Sequence, residues 1–224
     1  MRIALLGGTG SIGEGLALRW AFDTNHEVLV GSRDPERARA KAEEYETELD
    51  SRGVDCAVKG FANEMATDRA DVVVLAVPPY HVRSTLRAVA DRLDEDAVVV
   101  NPAVGMARDD DGNYRRDPPS STRSLTELVA ETAPGDVSVV GAYHTVPAAR
   151  LANLDAELGI DVPVVADDDD AKETVAMLTE AIDGLRALDA GDLSAAGEVE
   201  GLTPLVLTLA ANNEGLHDLG VTFH

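Results

Sequence analysis

Arg2-Ile3-Ala4-Leu5-Leu6-Gly7-Gly8-Thr9-Gly10-Ser11-Ile12-Gly13-Glu14-Gly15-Leu16-Ala17-Leu18-Arg19-Trp20 is the stretch whose reading decides the fold. Its first five residues form an apolar run of the kind a buried strand needs. Glycines follow at once with the spacing Gly8-x-Gly10-x-x-Gly13, and an amphipathic helix pattern begins after them. The first glycine of that spacing permits a tight turn. The second lets backbone amides approach a pyrophosphate, and the third lets helix and strand pack closely. The helix start adds unpaired N–H groups and the positive end of a dipole, which suit phosphate. A glycine turn without a ligand would show the same spacing. The strand before it and the helix after it are the context a dinucleotide site requires, so a dinucleotide is the expectation.

Moving outward, His26-Glu27-Val28-Leu29-Val30-Gly31 reads as the second strand. In NAD-binding units its end carries an acid that accepts hydrogen bonds from the ribose hydroxyls. Here Gly31-Ser32-Arg33 holds that place, with Arg37 four residues further on and Asp34-Pro35 opening a helix. A carboxylate would repel a 2′-phosphate, whereas a hydroxyl and guanidinium groups bind it. This predicts NADP.

Residues 35–51 read as a charged helix with Glu43, Glu44, Glu46 and Glu48 solvated. Val54 to Val58 reads as a third strand, and the segment from Gly60 to Ala66 as a loop leading through a short helix. Ala70 to Val77 is apolar on both faces, as a central parallel strand is. It ends in Pro78-Pro79-Tyr80-His81, at the end of a strand where ligands sit in open α/β sheets. His81 either contacts the cofactor or merely starts the next helix, Val82 to Leu93. Ala97 to Val104 is another buried strand with its loop, and Arg108 to Ser121 is a polar surface excursion or a lid. A helix over Ser124–Glu131 precedes a strand over Val137–Ala142, which delivers Tyr143-His144-Thr145-Val146-Pro147 at its carboxyl end. Val162–Val165 is a further strand, Lys172–Ile182 a helix, and Leu185–Leu188 a short edge strand. In the tail, Thr203 caps a helix whose first turn holds Pro204. Leu205 to Ala211 is apolar nearly all round, which predicts burial against another surface such as a second subunit.

With 224 residues the chain can hold one sizeable core. No apolar run approaches the ~20 residues of a membrane span, and no leader pattern opens it, so a cytoplasmic protein is expected. Its 41 acidic residues outnumber 19 basic ones, giving a net charge of −22, and only Lys41, Lys59 and Lys172 are lysines. Self-repulsion of that size destabilises a compact chain unless salt screens it. An ordinary acidic protein would also be acidic, but the scarcity of lysine favours a halophile's enzyme. The surface argues against nucleic acid as a partner. Cys56 stands alone and the histidines lack ligand spacing, so neither a disulfide nor a metal site is expected.

Several of these stretches together resemble one family. Gly7 to Gly13, Val30-Gly31-Ser32-Arg33, Ala142 to Arg150, Ala152-Asn153-Leu154-Asp155, Ile182 to Arg186 and Leu202-Thr203-Pro204-Leu205 are similar to the NADP reductases that use the deazaflavin coenzyme F420. The resemblance spans nearly the whole chain and rests chiefly on the His144–Asp155 stretch and the terminal Leu-Thr-Pro-Leu. It implies an α/β fold with a Rossmann-like doubly wound parallel sheet over residues 1–192. Residues 193–224 would be a small helical element that closes the deazaflavin cleft and contributes to a homodimer or higher homo-oligomer interface. It also implies hydride exchange between reduced coenzyme F420 and NADP. Thr9, Gly10, Ser11 and Ile12 would hold the pyrophosphate, and Ser32, Arg33 and Arg37 the 2′-phosphate. Val77, His81, Asn101, Pro102, Val104, Val146 and Ala148 would line the nicotinamide and deazaflavin cleft, with Leu219 approaching the deazaflavin. Pro79-Tyr80 and Asn101 depart from the family pattern, where an aromatic–acid pair and a serine are usual.

The absence of a Ser-His-Asp set, metal cluster or carboxylate dyad from the sequence suits hydride transfer, whose chemistry belongs to the cofactors. Two other readings share the fold. An NADPH-dependent reductase of a small imine or carbonyl would need a proton donor such as His144 or Tyr143. A non-catalytic NADP-binding sensor would use the apolar terminal helix as a partner surface.

Overall fold

The computed structural model describes residues 1–119, 121–135 and 137–224. The strands are β1 (Arg2–Leu6), β2 (Glu27–Ser32), β3 (Val58–Ala62), β4 (Val72–Leu75), β5 (Val98–Asn101), β6 (Met106–Arg108), β7 (Tyr114–Arg116), β8 (Ser138–Gly141), β9 (Ile160–Ala166) and β10 (Leu185–Asp189). The helices are α1 (Ser11–Asp23), α2 (Pro35–Ser51), α3 (Asn63–Thr67), α4 (Pro79–Val89), α5 (Leu125–Thr132), α6 (Ala148–Ala152), α7 (Asp169–Glu180) and α8 (Ala196–Asn212).

Eight strands form one sheet in the order β10-β9-β8-β5-β4-β1-β2-β3. All neighbours are parallel except β8 and β9, so β9 and β10 run against the rest. Alternation of side chains along β1 shows why the sheet is covered on both faces. Ile3 and Leu5 join a core with Leu16, Trp20, Tyr45 and Val175, whereas Ala4 and Leu6 join one with Ala66, Val82, Leu86 and Leu128. The strand order reverses between β1 and β4. That reversal opens a crevice at their carboxyl ends, where doubly wound sheets bind ligands.

The structure corrects the sequence reading in three places. The third strand is Val58–Ala62 rather than Val54–Val58, pairing Val28 with Val58 and Ser32 with Ala62. Gly60 belongs to that strand because α2 runs so close that an added Cβ would lie 2.3 Å from the Ala38 carbonyl carbon. Pro204 sits inside α8 and not in its first turn, and Thr203 caps no helix: its hydroxyl donates to the His144 carbonyl (2.9 Å). Part of the Arg108–Ser121 excursion is the antiparallel β6–β7 hairpin, turned at Gly112 (φ +83°) and docked on α8. There the Tyr114 N–H donates to Thr208 Oγ1 (2.9 Å). Ser120, within the same excursion, lies outside the described residues.

Candidate active site

The glycine turn has a division of labour that differs in one respect from its sequence reading. Gly7, not Gly8, adopts the left-handed backbone (φ +84°), and its missing Cβ leaves room for the Ala76 carbonyl, 2.6 Å from where a Cβ would be. The Gly8 N–H donates to the Leu5 carbonyl (2.8 Å), and the Gly8 carbonyl accepts from the Tyr45 hydroxyl (2.9 Å), so α2 steadies the turn. Gly13 lies against Gly8, where a Cβ would sit 2.6 Å from Gly8 Cα. Gly10 is the exposed residue before α1, and a Cβ there would meet nothing closer than 3.4 Å. Its bareness keeps the helix start open, and the N–H groups of Ser11 and Ile12 in the first turn have no carbonyl to bond within the helix.

A cleft of about 530 Å³ runs from this turn along the ends of β1, β2 and β4. It is lined by Thr9, Gly10, Ser32, Arg33, Arg37, Val77 and His81 among others, which brings together seven of the residues expected from the sequence. The Ser32 hydroxyl oxygen accepts from the Asp34 N–H (3.1 Å) and keeps its own proton to donate. Asp34 turns its carboxylate away to cap α2, accepting from the N–H groups of Glu36 (3.1 Å) and Arg37 (3.4 Å). Arg33 and Arg37 are exposed, and neither forms an ion pair among the described residues. Tyr80, one of the departures from the family pattern, lies against the His81 ring (centroids 4.5 Å apart) in the same cleft.

A second cleft, about 370 Å³, lies on the other side of the α1 start. Ser11 and the loop His144–Ala149 form one wall, and Val206, Leu207, Ala210 and Leu219 the other. Thus Val146, Ala148 and Leu219 line one cavity. The tail that carries Leu219 is tied to β9: the Asp161 N–H donates to the Val221 carbonyl (2.8 Å). The buried Asp161 carboxylate takes the Phe223 N–H and both arms of the Arg186 fork. Asn101, Pro102 and Val104 are buried and are not among the residues lining either cleft. Asn101 shapes its own loop instead, its amide bonding both the N–H (3.3 Å) and the carbonyl (3.1 Å) of Ala103. The Ile12 side chain packs against the core.

The turn into the second cleft is made at Tyr143, held in the left-handed region (φ +64°) that a bulky residue rarely adopts. Its ring points into the core, edge-on to Trp20 at 5.8 Å, and its hydroxyl lies 2.8 Å from Thr179 Oγ1. Burial pushes that phenol up from its ordinary range. His144, next in the chain, faces the cleft, and burial pushes its imidazole down to about 4. Buried polar atoms nearly always find partners. Among the described residues, the exceptions in side chains are Asn63 Oδ1, His144 Nδ1 and Thr145 Oγ1. Asn63 lines the first cleft, and His144 and Thr145 line the second.

A doubly wound sheet with this glycine turn, two guanidinium groups at the end of β2 and a second apolar cleft defines a dinucleotide-binding oxidoreductase architecture. The comparisons narrow the class. Residues 2–105 match the family model described as NADP oxidoreductase, coenzyme F420-dependent. The F420-dependent NADP reductase of Methanocaldococcus jannaschii is 35% identical over 93% of this chain and 92% of its own. That of Methanothermobacter thermautotrophicus is 36% identical over 95% of this chain and 90% of its own. A crystal structure from Arthrobacter sp. FB24, described as an F420-dependent NADP reductase, superimposes with a TM-score of 0.81 at 26% identity. It covers 100% of this chain and 99% of that one. The chain belongs to the F420-dependent NADP reductase family.

Proposed function

We infer that this protein transfers a hydride between reduced coenzyme F420 and NADP, with NADP along the first cleft and the deazaflavin in the second. The observation that carries the assignment of clefts is the placement of the three unpartnered buried polar atoms, all in residues lining those clefts. The bare Gly10 and the open α1 start fit a pyrophosphate, and Ser32, Arg33 and Arg37 fit a 2′-phosphate. The two cofactors supply the redox chemistry. The chain's own residues bind, orient and exclude water. Val77 and Pro78 on one side, and Val146 and Pro147 on the other, offer apolar walls for planar rings.

An imine or carbonyl reductase needs a proton donor at its substrate. Tyr143 is turned into the core, and His144 is held neutral at ordinary pH. The transfer therefore proceeds without an obligatory side-chain acid or base. The same reading takes residues 193–224 as the element that closes the deazaflavin cleft, because Val206, Leu207, Ala210 and Leu219 line it. Exposed Leu205, Leu209, Leu216 and Phe223 on that element support a homo-oligomer interface, and the charge of −22 supports a salt-adapted cytoplasmic enzyme.

Deuterium placed on the reactive carbon of the reduced deazaflavin tests this. It is expected on the nicotinamide without dilution by solvent, and His144→Gln is expected to lower turnover by less than the ~10²–10⁴ of a lost acid or base. Solvent hydrogen on the nicotinamide, or a loss of a thousandfold with NADP binding intact, overturns direct transfer. A protein that binds NADP yet never oxidises the deazaflavin is the sensor.

A further inference from the structure

Glu200 is fully buried, and no cation lies within ion-pair distance of it among the described residues. A buried carboxylate is costly unless several donors replace its water. Here three do. The Leu125 N–H (2.9 Å), the Thr126 N–H (2.8 Å) and the Thr126 hydroxyl (2.9 Å) all donate to it, so the carboxylate of α8 seats on the first turn of α5. That is the end of a helix that favours an anion.

The contact continues in both directions. Because the Thr126 hydroxyl spends its proton on Glu200, its oxygen is left to accept, and Asn101 Nδ2 donates to it at 2.9 Å. The same Asn101 amide holds Ala103 at the end of β5. His144 Nε2 lies 3.5 Å from the same Thr126 oxygen, and one turn beyond Glu200 the Thr203 hydroxyl bonds the His144 carbonyl. Glu200 thus stands where α8 meets the loops that follow β5 and β8. The next turns of α8 present Val206, Leu207 and Ala210 to the second cleft.

We propose that Glu200 is a positioning residue for hydride transfer: through Thr126 it sets α8, the outer wall of the second cleft, in register with the β5 and β8 loops. This rests on the reading of the second cleft as the deazaflavin site. Neither Glu200 nor Thr126 lines the NADP cleft, so the effect of losing the link falls on one cofactor and not on the other.

The test uses the whole enzyme with Glu200→Gln, Thr126→Val and Thr126→Ser. It reads KM and kcat with reduced F420, and Kd for oxidised F420 and for NADP by titration. Glutamine turns one oxygen into a donor facing donors, and valine removes the hydroxyl while keeping shape. Both are expected to weaken F420, in Kd and KM, by roughly tenfold or more, the effect of one lost hydrogen bond to a charged group, with NADP affinity held within about twofold. Thr126→Ser, which keeps the hydroxyl, is expected to restore wild-type F420 binding within about twofold. If Glu200→Gln fails to fold, Thr126→Val decides. Unchanged F420 affinity in a folded variant, or equal weakening of both cofactors, overturns the proposal. A wild-type enzyme that does not oxidise reduced F420 with NADP refutes the underlying function instead.

Discussion

On the proposed reading, Ser32 at the end of β2, Arg33 just beyond it and Arg37 in the first turn of α2 select NADP over NAD, and removing one gives a measurable number. In Arg33→Ala the 2′-phosphate loses a guanidinium that is exposed and without an ion-pair partner among the described residues. The neighbouring Asp34 carboxylate caps α2 and forms no ion pair with Arg33 among the described residues. A charge-assisted hydrogen bond contributes ~1.5–3 kcal/mol, and solvent exposure places Arg33 at the lower end, about tenfold in Kd. Arg37 and Ser32 remain, so the single variant still prefers NADP. Removing Arg37 as well is expected to bring the combined loss to roughly a hundredfold if the two groups act independently. Isothermal titration with NADP and NAD at one fixed ionic strength measures this. NAD affinity is expected to stay within about twofold, since NAD carries no 2′-phosphate. Equal weakening of both dinucleotides would show that Arg33 supports the loop and does not read the phosphate.

Other expectations follow from the surface and the core. With a net charge of −22, melting temperature and activity are expected to rise as KCl approaches molar concentrations, and full activity in low-salt buffer would refute the salt-adapted reading. His144 is held down to about 4 from an ordinary 6.5, so the unfolded chain binds more protons between those values. Its contribution to stability is complete above pH 6.5 and disappears as pH falls toward 4, and the His144→Gln variant is expected to show a flatter melting temperature across that window. Gly15→Ala would set a Cβ 2.5 Å from Leu151 Cβ and is expected to cost about 1–3 kcal/mol, read by denaturant unfolding.

The sheet was legible because its central strands are continuous Val, Leu and Ile runs, buried on both faces, and because glycines mark the first turn. The residues proposed for the 2′-phosphate come together for a local reason: Ser32, Arg33 and Arg37 lie within one strand end and one helical turn of each other. What sequence concealed depends on neighbours distant along the chain. Gly60 looks like a loop residue until Ala38 is known to press on it. Gly197 and Pro204 look like breaks, yet Arg116 Nη1 lies 2.6 Å from where a Gly197 Cβ would be, and the helix continues through both. Interior proline costs ~3 kcal/mol in isolation, so packing holds α8 together there. Glu200 gave almost no signal: one acid among many in an acidic chain reads as solvated. Its only hint was position, next to Val199 and three residues from Thr203. The Asn101 amide likewise resembles a wall residue by position, while its bonds to Ala103 and Thr126 turn it inward.

The meeting of α1 with α6 has a consequence for how the two clefts are spaced. Gly15 lets the two backbones touch. The Arg19 guanidinium then reaches four main-chain carbonyls beyond α6's start: those of Arg150 (3.4 Å), Leu151 (3.0 Å), Asn153 (2.6 Å) and Ala156 (2.9 Å). The edge we assign to phosphate and the edge we assign to the second ring are thereby joined as one block when the chain folds. On the proposed reading, the spacing between the two clefts is set by that contact as the chain folds, before either cofactor arrives.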